Sequence, residues 1–466
     1  MNHAPIQKLS LLRTAVIVVC ISCSAWAQQN SPTSSSATAQ TSSPTSAPAT
    51  AQTSSPITPA LTSPPIPVSG MNVLGGRIFN IEPGIAFNSL APFLQPGDEV
   101  RLLPGVHIPF ALADLRGARD NPIVIRGYQP ETEKPLPYVK GDLFSISLLR
   151  PQNVIIRDLL LGNSSGPTIY VDGSLAASPV VQETPWDSNL ILTNLRIKQD
   201  GVADNQSGIY LRSMQKVDVS HIFIKGWNNS AIVLDNCKKV GVSQATLDTA
   251  KNLPQYRGVA IRSGCEDISC MYLSFGPKVQ VAFELGVCDT TNPNPAEQNA
   301  QRAAQRIQIS HNAALDCPCF ISLGSIDNST ISNNSIIEST KFVWKADGTC
   351  GVPNHITFQN NLVTWVPGRI EKISSVAATI PPESIILQSN LWWSEELPIG
   401  FEIVGKPFGV EMAPQVFDVN PKVEMRKFVP VDEKARTFGW TTSDGVTPPE
   451  APKTPVESAN PSQKPS

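Results

Sequence analysis

One short motif returns nine times between residues 153 and 392: apolar residues in alternation, a polar pair, then a second apolar pair. It reads NVIIRDLLL at 153, NLILTNLRI at 189, KVDVSHIFI at 216, KVGVSQATL at 239, EDISCMYL at 266, RIQISHNAA at 306, STISNNSI at 329, HITFQNNLV at 355 and SIILQSNLW at 384. Aligned, the copies put Ile156, Leu192, Val219, Val242, Ile268, Ile309, Ile331, Phe358 and Leu387 in one column. Alternation of period two marks strands, and a repeat of this length marks one coil of a solenoid, which buries its apolar face only by stacking on the next coil. A solenoid core grows in one dimension. The long stretch between the chain's two Pro-rich ends therefore needs no division into domains, although it exceeds what most single cores hold. The expected fold is all-β, a right-handed parallel β-helix of at least nine coils.

Within the motif, Asn312, Asn334, Asn361 and Asn390 take the place that Leu159, Leu195 and Ile222 hold in earlier coils. Inward asparagines on successive coils can hydrogen-bond along the stack and satisfy one another. His221 and His311 each follow Ser at the polar pair and read as repeat-position residues.

A second strand follows in each early coil: PTIYVDGS at 167, SGIYLRS at 207, SAIVLDN at 230, RGVAIRSG at 257 and, less clearly, VAFELG at 281 and CFISLGS at 319. With Ile169, Val171, Ile209, Leu211, Ile232, Leu234, Val259 and Ile261 inward, period two turns Tyr170, Asp172, Tyr210, Arg212, Val233, Asp235, Ala260 and Arg262 outward. Asp172, Arg212, Asp235 and Arg262 then form one stripe of alternating sign.

The ends of the chain have a different composition. Lys8 and Arg13 precede the apolar run Ala15 to Ile21 and the triplet Ala25-Trp26-Ala27, the layout of a signal peptide over residues 1–27. The run is far shorter than the roughly 20 residues of a membrane span. Losing its two cations takes the net charge from -3 to -5, which argues against nucleic acid or an anionic membrane as partner. Residues 28–70 carry no charge, are rich in Ser, Thr, Ala and Pro, and nearly repeat ATAQTSSPTSAP at 37 as ATAQTSSPITPA at 49. Such a segment cannot bury enough apolar surface to offset ordering entropy and reads as a disordered linker. A similar tail covers residues 444–466, leaving 71–443 as the β-helix of a protein exported to the periplasm, cell surface or medium.

FNSLAPFLQPGDEVRLLPGVH at 87–107, NPIVIRG at 121–127 and APQVFDVNPKVEMRKFVP at 413–430 resemble the first coils and the closing segment of secreted β-helix proteins of the pectate-lyase-like superfamily, including the chondroitinase B and alginate lyase group. The resemblance spans roughly residues 71–430 and is specific for fold, since one scaffold hosts many reactions. It implies an extracellular, acidic polysaccharide as partner. Relatives in the superfamily carry Asp-Gly-Ile-Lys and a Lys-Gly-Gly turn on adjacent coils. Ser207-Gly208-Ile209-Tyr210 and Arg262-Ser263-Gly264 stand at the matching places here, without the acid and with Tyr and Arg for the two lysines.

A polyuronate lyase has to neutralise the substrate carboxylate and remove the neighbouring proton, which needs a cation beside a base. Arg212, Arg262 and Tyr210 form the candidate catalytic set, with Tyr256, Lys251 and Arg257 nearby. Asp172, Asp235, Arg257 and Trp186 are the candidate substrate-binding residues, Trp186 as a stacking surface. Plain pairing of Asp with Arg across coils explains the same stripe. A glycoside hydrolase would need two carboxyl groups about 6.5–9.5 Å apart for inversion. Asp172 and Asp235, two strand spacings or about 9.6 Å apart, stand at that limit, with Arg212 between them favouring the ionised form of both. The readings are thus a polysaccharide lyase, a non-catalytic carbohydrate-binding or cell-surface protein and, behind both, a hydrolase.

No cofactor is called for. Scattered histidines show no metal-ligand spacing; Asp200 and Asp204 in DGVADNQ are candidates for Ca²⁺, though two acids in such a loop more often serve turn chemistry. Seven cysteines follow the signal segment, all between Cys237 and Cys350. Their odd number leaves at least one unpaired in a monomer, and their connectivity is open. Two insertions, Ser174 to Asp187 and Val287 to Gln305, leave the stack close to the stripe and are candidate walls of a cleft.

Overall fold

The computed structural model describes residues 66–440, except 74, 129–135, 163, 175–184, 200–205, 250–254, 288–302, 396–403, 418 and 425–428. The signal segment, the linker up to residue 65, the tail from Asp444, Lys251, Asp200 and Asp204 therefore lie outside the described residues, as do most of both insertions.

The body is the right-handed parallel β-helix expected from the motif and from the resemblance to the pectate-lyase-like superfamily. Its second strands stack into a ten-stranded parallel sheet, one strand per coil, from Phe110–Ala113 to Ser374–Val376. The motif strands build a 21-stranded sheet. Its polar pairs have a conformational cause. The second member in successive coils, Asp158, Asn194, His221, Gln244, Tyr272, His311, Asn333, Asn360 and Ser389, has φ between 49° and 60°. A single left-handed residue bends each strand, and Asn, Asp and His enter that region more readily than other side chains with a Cβ. His221 and His311 thus sit at corners, as repeat positions.

The inward column runs from Phe79 through Val100, Ile125, Ile156, Leu192, Val219 and Val242 to Ile309, Ile331, Phe358 and Leu387. One member differs from the sequence alignment. Cys270, not Ile268, pairs with Val242 and Ile309, while Ile268 pairs with Val240 one inward position earlier. Both are buried, so the alignment slipped by one period of two, and the thiol acts as a small apolar side chain.

From Leu273 onward the column beside the corner changes from apolar to amide. The backbone N–H of Leu273 donates to Asn312 Oδ1 at 2.9 Å. Nδ2 of Asn312, Asn334 and Asn361 then donates to Oδ1 of the next asparagine at 2.9–3.0 Å. Each also donates to a carbonyl of the preceding coil, on Cys270, Ile309 and Ile331. Gln415 Oε1 ends the chain by accepting from Asn390 Nδ2 at 3.1 Å. All four asparagines are fully buried, and every amide group is used.

Cys237, Cys265, Cys270, Cys317 and Cys319 are free and buried, and Cys350 is disulfide-bonded. Burial pushes the Cys270 thiol up to about 12, so it is an inert core group. Among the described residues no cluster of three His, Cys, Asp or Glu is placed to hold a metal, and no helix is long and apolar enough to cross a membrane.

The body takes in the last residues of the segment read as linker. Ile66 packs on the core, Ser69 N donates to Ile78 O at 2.7 Å, and Gly70–Met71 pairs antiparallel with Arg77–Ile78. We expect deletion of residues 28–65 to leave the melting temperature unchanged within error, and deletion through Gly70 to lower it. Calorimetry on the two truncations checks both statements, and a drop with the shorter one would show that the segment supports the fold.

Candidate functional site

Outside the ten-stranded sheet, two columns of side chains face away from the core. One contains Ser147, Tyr170, Tyr210, Val233, Ala260, Glu284, Ser322 and Lys345 in successive strands. In the other, Asp172 lies against Arg212 and Arg212 against Asp235, with Arg262 on the following strand. The structure thus assembles Tyr210, Arg212, Arg262, Asp172 and Asp235 on one face.

Short contacts within this face run from tyrosine to aspartate. Tyr170 Oη donates to Asp172 Oδ2, and Tyr210 Oη donates to Asp235 Oδ2, each at 2.9 Å. Ser174 donates to Asp172 Oδ1 through N at 2.8 Å and Oγ at 2.6 Å. The arginines stand further off: Arg212 Nη1 lies 3.9 Å from Asp172, and Arg262 Nη1 lies 3.7 Å from Asp235. Arg262 donates instead to Tyr210 Oη at 3.1 Å. Elsewhere in the solenoid, pairs between coils close at contact distance, as in Arg126–Glu99 at 2.6 Å, Arg150–Asp114 at 2.7 Å, Lys216–Asp187 at 2.6 Å and Lys238–Glu266 at 2.9 Å. The stripe is a looser arrangement than those structural rungs, and the Arg212 side chain remains 51% exposed.

The tyrosines are locked as hydroxyl donors. Burial and the Asp172 charge push Tyr170 above the ordinary phenol range, and burial with Asp235 does the same to Tyr210 against the opposing pull of Arg262. The two rings lean on each other, with centroids 5.7 Å apart.

Arg257 lies at the start of its strand, where its guanidinium pairs with Glu284 on the next coil, donates to Asn229 Oδ1 at 3.1 Å and covers the exposed Tyr256 ring at 4.2 Å. Glu284 did not emerge from the sequence. Burial holds its carboxyl above the usual range against the attraction of Arg257, Lys345 and Arg262. Period two between Phe283 and Leu285 is the signal for it, blurred because Val281, Ala282 and Phe283 form a continuous apolar run that is all buried.

Trp186 begins the strand next to the end of the stripe, against Met214 and Gly173, with its ring engaged at the coil edge. Its indole Nε1 donates to Pro151 O at 2.9 Å, and Arg116 covers the ring at 4.5 Å, so it closes a coil edge. Its Cβ lies close to Gly173, where an added Cβ would meet Ser213 O at 2.3 Å and Trp186 Cβ at 2.5 Å. Only glycine allows the chain to leave the strand after Asp172 at that place.

No protein-family model matches the chain, and no curated protein is similar to it. Among solved structures it is similar to a lacto-N-biosidase from Eubacterium ramulus, at 12% identity and a TM-score of 0.47, over 72% of this chain and 63% of that one. It is also similar to an alginate lyase, at 12% and 0.40 over 83% and 59%, and to the A-module of a mannuronan C-5 epimerase from Azotobacter vinelandii, at 11% and 0.40 over 70% and 91%. The chain thus spans less than two thirds of the length of the first two.

Proposed function

We propose that the outer face of the ten-stranded sheet binds an acidic extracellular polysaccharide, holding polymer carboxylates on Arg212 and Arg262. The observation that carries this reading is the pattern of short contacts. The aspartates take their close hydrogen bonds from tyrosine and serine, and the arginines stand 3.7–3.9 Å from them, Arg262 with one donor on Tyr210, so both guanidinium groups keep further N–H donors for a ligand. An extended sheet face suits an extended polymer, and the export signal read in residues 1–27 would place the protein where such polymers occur.

Binding without elimination through Tyr210 is the favoured form. A base must give up its own proton before it takes another, and burial together with Asp235 keeps Tyr210 protonated. A second reading, catalysis on the same face, is favoured by one group, Glu284, whose raised carboxyl near Arg262 is suited to proton transfer. Product chemistry separates the two. A lyase leaves an unsaturated uronate that absorbs in the ultraviolet, a hydrolase leaves reducing ends without absorbance, and a binder leaves the polymer intact.

Arg212→Ala and Arg262→Ala are each expected to weaken binding to a polyuronate panel about tenfold. That is the lower end of what a charge-assisted hydrogen bond contributes, because solvent reaches this face. Melting curves should stay unchanged for Arg212→Ala, and affinity should stay flat through the range where an ordinary tyrosine ionises. A lowered melting temperature with unaltered affinity would make the stripe a structural ladder and end the proposal.

A further inference from the structure

We propose that the outer face of the motif sheet carries a separate site for a tetrahedral oxyanion, a phosphate or sulfate group, held between the guanidinium forks of Arg101 and Arg126. The site shares no residue with the stripe and does not depend on the binding reading above.

On the leg of each early motif coil that precedes the corner, alternate side chains face away from the core. Arg101, Arg126 and Arg157 occupy one such position on three successive strands, followed by Thr193. The three arginines therefore stand in a row, about 4.8 Å apart. Like charges directly opposite one another on neighbouring strands are destabilising. A row with a purely structural purpose would alternate in sign, as Lys238 and Glu266 do on later coils.

Glu99 is the acid that holds the first two, and the way it does so leaves them half used. Its Oε1 accepts from Nε of Arg101 at 2.5 Å and from Nε of Arg126 at 2.6 Å. One carboxylate thus serves two guanidinium groups, both through the inner nitrogen. Burial opposes the charge on Glu99, but the two arginine hydrogen bonds outweigh it and hold the carboxyl below its usual range. The Tyr128 ring supports the same pair, with its centroid 5.0 Å from the Arg101 guanidinium carbon and 5.8 Å from that of Arg126. Nη1 and Nη2 of both arginines take no hydrogen bond among the described residues. With side chains 20% and 25% exposed, the two planar forks are fixed at the base and open at the tips. A carboxylate has one oxygen pair and matches one fork, whereas the three terminal oxygens of a phosphate or sulfate ester can meet both. Arg157, with its Nε 3.6 Å from Asp158, brings a third guanidinium to the next strand.

The neighbouring outward column suits the organic part of such an ester. Val124, Ile155 and Ile191 precede Arg126, Arg157 and Thr193 by two residues and are only half-buried. Ile155 and Ile191 line an open recess of about 250 Å³ together with Arg119, Pro122, Asn153 and Asn189. Ordinary ligand pockets measure about 300–1,000 Å³. The recess is therefore of a size for a substituent, while the charge rests on the arginine row beside it.

The test is calorimetric titration of the full exported chain, at one ionic strength, with inorganic phosphate, sulfate, glucose 1-phosphate and glucuronate. We expect saturable phosphate binding, glucose 1-phosphate at least as tight, and glucuronate about tenfold weaker because it fills one fork only. Arg126→Lys keeps the charge and a donor for Glu99 but removes the fork, and should weaken phosphate binding about tenfold. Arg212→Ala should leave phosphate binding unchanged. No saturable phosphate binding in the millimolar range overturns the site, as does glucuronate binding equal to that of phosphate or an unaltered affinity in Arg126→Lys. Loss of phosphate binding in Arg212→Ala would move the anion to the other sheet and overturn it too. Glucose 1-phosphate weaker than inorganic phosphate overturns the role of the recess. If Arg126→Lys melts early, the wild-type preference for phosphate over glucuronate decides, since it needs no variant.

Discussion

Val219→Asp is expected to leave no folded body at all. Val219 is fully buried, lies between Leu192 and Val242 in the inward column and has only apolar neighbours above and below. A carboxylate there would have neither water nor a counter-charge, and burying it unpaired costs several kcal/mol even after it takes up a proton. Net stabilities of about 5–15 kcal/mol do not tolerate that together with the lost packing. The measurement is circular dichroism with size-exclusion chromatography of the exported protein. Val219→Ala, which removes two methyl groups without adding charge, should fold with a melting temperature lowered by several degrees. A soluble Val219→Asp protein with wild-type strand content would mean that the column is not the core.

Asn361→Ala is expected to cost about 3–5 kcal/mol, more than most single truncations, because the amide serves four partners. Asn334 N and Nδ2 donate to its Oδ1 at 3.0 and 2.9 Å, while its own Nδ2 donates to Ile331 O at 3.0 Å and Asn390 Oδ1 at 2.9 Å. Removing it strands several buried polar groups at about 1–3 kcal/mol each, partly relieved by adjustment. Asn361→Gln, which keeps the groups and misplaces them, should cost nearly as much, while Asn360→Ala at the neighbouring corner should cost far less. Chemical denaturation of the three variants ranks them, and a near-neutral Asn361→Ala would show that the amide chain contributes little.

Alternation made the solenoid legible, since period two is a property of the strand itself and needs no knowledge of neighbours. The asparagine column could be read for a related reason: identical residues at one motif position in four coils must stack. Cys270 was harder to place. A cysteine flanked by Ser269 and Met271 gives no clear inward signal, and Ile268 is the stronger apolar residue in that copy. On the outer face the sequence identified which residues gather there. It did not reveal that Tyr210 would reach the aspartate of the next coil while Tyr170 stays on its own strand. The difference follows from what stands two residues on: Asp172, an acceptor, after Tyr170, but Arg212, which can only donate, after Tyr210, whose acceptor therefore comes from the next coil. Glu284 escaped because its importance arises from burial among three cations, Arg257 and Arg262 on the preceding strand of the sheet and Lys345 two coils further on, which nothing in the local sequence around Glu284 announces.

The amides of the buried asparagine chain all point the same way, each giving to the coil ahead and to the backbone of the coil behind. A stretch from one asparagine to the next, such as the 27 residues that separate Asn334 from Asn361, therefore begins and ends with the same unmet demand. Excising it would join the donor of Asn312 to the acceptor of Asn361 with identical chemistry, and removal of the 22- or 29-residue step beside it would make an equivalent join, whereas a cut that is not a whole number of coils would strand both groups. This half of the molecule is in effect graduated. It can lengthen or shorten by whole coils, as a filament does by subunits, and the closing Gln415 would terminate the shortened or lengthened stack in the same way.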